Sequence, residues 1–86
     1  MDTPAERPEI EYPCTWTYRV IAVDVVGTSY AISERLGTRP HRLSEGNTSR
    51  TGKYASIQLE LEVADQADRD DLFAALESMS GVRFVL

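Results

Sequence analysis

The 86-residue sequence predicts an α+β fold in which two helices cover one face of a four-stranded antiparallel sheet. Three observations predict it. Thr15–Val23 and Ala55–Val63 are built on the period-2 alternation of strands, and two other segments carry apolar residues at helical spacing. The elements also follow one another as strand, helix, strand, strand, helix, strand. Neither amphipathic stripe can be buried alone, so both helices are expected against the same sheet face. Right-handed crossovers then give a two-layer split β-α-β, or ferredoxin-like, sandwich with the first and third strands in the centre.

Residues 1–13 hold Pro4, Pro8 and Pro13 with Asp2, Glu6, Glu9 and Glu11. Proline removes backbone donors and like charges repel, so a flexible acidic tail is expected, with 14–86 as the single folded domain. Ile10 and Tyr12 are apolar enough for the end of the tail to touch the core. In the first strand, Thr15–Val23, aromatic and β-branched residues dominate, and Trp16, Tyr18 and Val20 are the expected buried set. Ile21 and Val23 make the second face partly apolar, as suits a central strand.

Asp24–Leu36 reads as a short helix with Val25, Val26, Tyr30, Ile32 and Leu36 on one side, Asp24 or Thr28 as its cap and Gly37 as its stop. Residues 38–53 cluster Gly, Asn, Ser and Thr from Ser44 to Gly52, a loop signal, with a short strand over Arg39–Ser44 before it. Ala55–Val63 is the clearest element, with Ile57, Leu59, Leu61 and Val63 dry and Ser56, Gln58, Glu60 and Glu62 wet. Gln66–Met79 is the second helix. Asp65 caps it, Asp68 holds the capping-box position, and Leu72, Phe73, Leu76 and Met79 form its stripe. After Gly81, Val82, Phe84 and Leu86 are expected to face inward in a last strand, with Arg83 and Val85 outward.

Composition narrows the function classes. The formal net charge of −5 argues against coating nucleic acid by bulk charge. One cysteine, Cys14, leaves neither an internal disulfide nor a cysteine-rich metal knuckle, and a half-buried structural role is expected for it. The N-terminus lacks the pattern of a secretory signal, and no apolar run is long enough to span a membrane, so a cytoplasmic protein is expected. His41 is the lone histidine and reads as a surface residue. Asp65, Asp68, Asp70 and Asp71 miss the spacing of a calcium loop and suit capping and the helix dipole instead. No catalytic constellation, cofactor motif or metal-ligand set emerges, and a non-enzymatic role is expected.

Two candidate surfaces remain. The outer sheet face is expected to carry Arg19, Ile21, Glu60, Arg83 and Val85, a part-apolar surface suited to a protein partner or to self-association, with Glu60 relieving the two arginines. The middle segment carries Arg39, Arg42, Arg50 and Lys53 against Glu45, a local +3, whereas residues 60–77 carry a net −6. A basic loop of that kind suits an acidic partner or phosphates. RNA-reading sheets of this architecture stack bases on outer-face aromatics, and the aromatics Trp16, Tyr18 and Phe84 fall in the expected inward set, so nucleic-acid binding ranks last.

Tyr12-Pro13 with Trp16-Thr17-Tyr18-Arg19-Val20, Gly52-Lys53-Tyr54-Ala55-Ser56-Ile57 and Val82-Arg83-Phe84-Val85-Leu86 resemble, in order and spacing, the YbeD-like family of small bacterial proteins of unknown function. The resemblance covers most of the chain from Tyr12 onward and is weakest over 21–51. It implies a ferredoxin-like fold related to ACT regulatory domains, and no established activity, catalytic residue or cofactor. Members are often encoded near lipoate-attachment genes, which implies a regulatory or partner role linked to lipoate metabolism. The ACT kinship implies, as an alternative, a small-molecule sensor, although Val23-Asp24-Val25-Val26-Gly27 matches the ACT glycine-bearing turn only loosely.

Overall fold

The computed structural model describes residues 10–48 and 52–86. Its elements are β1 (Cys14–Ala22), α1 (Val25–Leu36), β2 (Arg42–Thr48), β3 (Ala55–Val63), α2 (Gln66–Glu77) and β4 (Val82–Val85). The four strands form one antiparallel sheet in the order β2-β3-β1-β4. This is the ferredoxin-like order, with the first and third strands central. The expected residues 1–9 of the tail lie outside the described residues. At its end, of the two residues expected to touch the core, Tyr12 packs against it and Ile10 is exposed, and the Tyr12-Pro13 peptide bond is cis.

β1 and β3 pair along their whole length, from Cys14 opposite Val63 to Ala22 opposite Ala55. Side chains alternate across a strand, so this register gathers Tyr18, Val20 and Ala22 with Ile57, Leu59, Leu61 and Val63 on one face. All seven are buried. Ile32 and Leu36 of α1, Leu72 and Leu76 of α2 and Val85 of β4 close over them. Burying each large side chain stabilises the fold by about 1.5–3 kcal/mol relative to exposure.

Both helices start as the sequence predicts. Asp24 accepts the Gly27 N–H at 3.1 Å, and a Cβ at Gly27 would collide with that carboxylate, so glycine lets the cap close. Gly37 ends α1 with a positive φ of 60°. Asp65 caps α2 by accepting the Asp68 N–H at 2.8 Å. The buried stripe of α1 differs from the expected one. It runs through Thr28, Ile32 and Leu36, while Val26 and Tyr30 are 78% and 67% exposed. The helix has more apolar residues than its packed face can take, and Ile32 and Leu36 set its rotation. α2 ends at Glu77 rather than Met79, and Phe73 sits at the edge of the packed face, partly exposed.

Two further differences come from pairing. The second strand is later and longer than Arg39–Ser44: β3 offers it a full edge, and it pairs from Arg42 opposite Glu60 to Thr48 opposite Ala55 despite its turn-forming composition. In β4 the expected alternation is broken. Val20 lies opposite Val85 and Ile21 opposite Phe84, but Ala22 lies opposite Val82, so Arg83 is an extra residue in a β-bulge. The bulge turns both Val82 and Val85 toward the core and Phe84 away from it. Val85 is 7% exposed and Phe84 62% exposed, the reverse of the expected assignment.

Replacing Asp65 with alanine removes the α2 cap acceptor. An Asp65→Ala variant is expected to lose about 1 kcal/mol in urea denaturation with an unchanged m-value.

Candidate interaction site

The outer sheet face is assembled by the central pair and its two neighbours. Across it run Arg42, Glu60 and Thr17 in one row, and Ser44, Gln58 and Arg19 in the next. Ile21 and Phe84 lie directly opposite each other on β1 and β4. The face therefore divides. Toward β2 it is polar, and Arg42 meets Glu60 at 3.8 Å in an exposed pair of the kind that contributes little to stability. Toward β4 it is apolar, with Ile21 half-buried, Phe84 exposed and the exposed cations Arg19 and Arg83 beside them. Among the described residues neither Arg19 nor Arg83 makes an ion pair. Glu60 does not relieve them, because its cross-strand neighbours are Thr17 and Arg42. Of the five residues expected on this face, Arg19, Ile21 and Glu60 are there, Arg83 is exposed at the bulge, and Val85 belongs to the core.

The expected basic loop is dispersed. Arg39 forms a two-pronged bond with Asp68, Nη1 to Oδ1 at 3.1 Å and Nη2 to Oδ2 at 2.6 Å, and Nη2 also donates to the Glu62 carbonyl at 2.8 Å. It ties the α1–β2 connection to the start of α2 instead of facing a partner. Asp68 also accepts the Ala64 N–H at 2.9 Å. The Arg39 bond, and then the Ala64 bond, hold the Asp68 carboxyl below the usual carboxylate range, and the same pairing raises Arg39. Arg42 lies on β2 facing Glu60, Lys53 is exposed before β3, and Arg50 lies outside the described residues. His41 is half-buried, and its Nδ1–H donates to the Arg39 carbonyl at 2.8 Å, which fixes its tautomer. Cys14 is half-buried at the start of β1.

The sequence offered no sign of a second feature on the helix side. Between β1 and α2 lies a cleft of about 260 Å³ lined by Trp16, Tyr18, Arg69, Asp70, Phe73 and Leu86. The Arg69 guanidinium sits over the Trp16 ring, 4.7 Å from its centroid, and its Nε is 3.6 Å from Asp70 Oδ1. A cation held over an indole face is stabilised by the ring quadrupole. Below it the Tyr18 hydroxyl donates to the Arg69 carbonyl at 2.6 Å, anchoring α2 to β1. Burial, opposed by Arg69 and assisted by Asp68 and Asp70, pushes the Tyr18 phenol up to about 12. The residues were visible as a strand stripe and a helix turn, but nothing in sequence says that positions 16 and 69 meet.

The sequence profile of the family described as "Protein of unknown function (DUF493)" matches residues 7–86. An uncharacterised protein of Helicobacter pylori is 34% identical to the chain, with all of both chains covered. The uncharacterised Campylobacter jejuni protein Cj0253 is 37% identical over 94% of this chain and 91% of its own. A solution structure of the Helicobacter pylori protein HP0495 superposes with a TM-score of 0.83 at 31% identity, covering all of this chain and 94% of that one.

Two pH dependences follow. Tyr18 titrates near 10.0 when unfolded and near 12 when folded, so its neutral form stabilises the fold fully below pH 10.0 and that contribution is lost as pH rises through about 12. Tyr18→Phe is expected to cost about 1 kcal/mol at neutral pH and to show a flatter fall in Tm over that alkaline range. Asp68 is depressed when folded, so its contribution is present above its ordinary value of 3.8 and is lost as pH falls through the lower folded value. The Tm gap between the wild type and Asp68→Asn is expected to be widest at neutral pH and to narrow below 3.8.

Proposed function

The chain belongs to the DUF493 family, and for it we propose a non-enzymatic regulatory or adaptor role exerted through protein contact at the β1–β4 half of the outer sheet face. The observation that carries this reading is Phe84, 62% exposed and set against Ile21 by the bulge at Arg83. An aromatic anchor beside an aliphatic neighbour, rimmed by Arg19 and Arg83, has the composition of a protein contact centre. The two cations favour a partner that is acidic around an apolar core. The finer kinship with YbeD-like proteins, the link to lipoate metabolism and a cytoplasmic setting belong to this same proposal. No helix of the described residues is long and apolar enough to cross a membrane.

Nucleic-acid binding has less support, for a reason other than the expected one. Phe84 does stand on the outer face, but on the edge strand. The central strands present Thr17, Gln58, Glu60 and Glu62, which offer no stacking platform and repel phosphates. With Arg39 committed to Asp68, the 39–53 segment also loses one of its cations.

An Ile21→Glu/Phe84→Glu double variant, first checked for a native melting transition, is expected to lose the partner captured by the wild-type chain, or the wild type's self-association in analytical ultracentrifugation. Arg19→Glu with Arg83→Glu is expected to slow association and weaken its salt dependence. A double variant with unchanged partner and oligomeric state overturns the reading.

A further inference from the structure

The helix layer carries most of the chain's net charge. α1 and its cap bring Asp24 and Glu34 against Arg35. α2 and its cap bring Asp65, Asp68, Asp70, Asp71 and Glu77 against Arg69. With Arg39, which clasps Asp68, the layer holds a formal −4 of the chain's −5. Two of its three cations are committed, Arg39 to Asp68 and Arg69 to Asp70 and the Trp16 ring. Asp71, one turn on from Asp68, shares the side of α2 to which Arg39 reaches from beyond the end of α1. Within this acidic layer α1 exposes apolar side chains. Val26 and Tyr30 each lie two positions before a buried residue, Thr28 and Ile32, which on a helix is about 200° round. They therefore point away from the sheet, one turn apart, 78% and 67% exposed. Gly27, beside Val26, adds no side chain that would hold a partner off.

From this we infer that the solvent side of α1 is a docking site for a basic amphipathic helix of a partner protein. Val26 and Tyr30 present the i, i+4 apolar pair on which the stripe of a second helix packs. Glu34 lies one turn beyond Tyr30, with Asp24 and Asp71 on the flanks, and these acids meet a rim of lysines or arginines. Arg35 is the opposing cation there. Charge also decides against two other occupants. A second copy would bring two layers of −4 together. Residues 1–9 hold Asp2, Glu6 and Glu9 against Arg7, a further −2, so the same layer repels the chain's own N-terminal residues. The site lies on the opposite side of the sheet from Ile21 and Phe84, so either surface can fail alone.

The test uses the full chain, isotope-labelled, and a blocked peptide of leucine and lysine whose leucines fall on one helical face. A peptide of the same composition with its leucines scattered serves as control. At low ionic strength the amphipathic peptide is expected to shift the amide resonances of Val26, Gly27 and Tyr30, and to bind less tightly as salt is added. Val26→Ala with Tyr30→Ala, at exposed positions outside the core, is expected to weaken binding about tenfold or more with the melting transition unchanged. Glu34→Lys with Asp71→Lys is expected to weaken it and to flatten its salt dependence. The Ile21→Glu/Phe84→Glu variant is expected to bind as the wild type does. Equal binding of the scattered control overturns the inference, because the layer is then only a non-specific attractor of cations. So do unchanged α1 resonances at millimolar peptide, or α1 shifts that grow with protein concentration without peptide, which make a second copy the occupant.

Discussion

The uninterrupted pairing of β1 with β3 is the constraint on which the rest of the molecule depends. It aligns residue with residue from Cys14–Val63 to Ala22–Ala55 and places seven apolar side chains on one face without a gap. A slip of one residue would turn the whole inward set of the slipped strand to solvent. The helices are positioned by that face. Ile32 and Leu36 of α1 and Leu72 and Leu76 of α2 find their places over it, and Tyr18 reaches from it to the backbone of α2.

The outer strands are adjustments at its borders. β2 joins the free side of β3 although its own residues favour turns, because an available ladder outweighs weak local preference. β4 meets only the last part of β1 and does so through a bulge. The bulge lets Val82 and Val85 both face the core and leaves Phe84 outside. The apolar patch of Ile21 and Phe84 thus has its origin in that bulge.

Charge is distributed by the same geometry. In sequence, Arg39, Arg42, Arg50 and Lys53 make a basic run and residues 60–77 an acidic one. In the fold, parts of the two runs are brought together, Arg39 onto Asp68 and Arg42 opposite Glu60. The acids that open α2 serve its N-terminus and the Arg39 clasp. Among the described residues Arg19 and Arg83 are cations of the sheet without ion pairs, and no linear run of charge singles them out.

Local patterning determined the element order, the caps at Asp24 and Asp65, the dry faces of β1 and β3, and hence the α+β sandwich. Each depends on residues a few positions apart, whose periodicity and capping chemistry are written directly in the chain. Only the tertiary structure decided which way β4 faces, which cations are consumed, and that Arg69 lies on Trp16. Those outcomes depend on strand register and relative length, and one extra residue at Arg83 reverses the facing of all that follows it. The side chains of the candidate sites were legible as types. Their meeting was not, because it is set by contacts between distant segments competing for the same sheet edge.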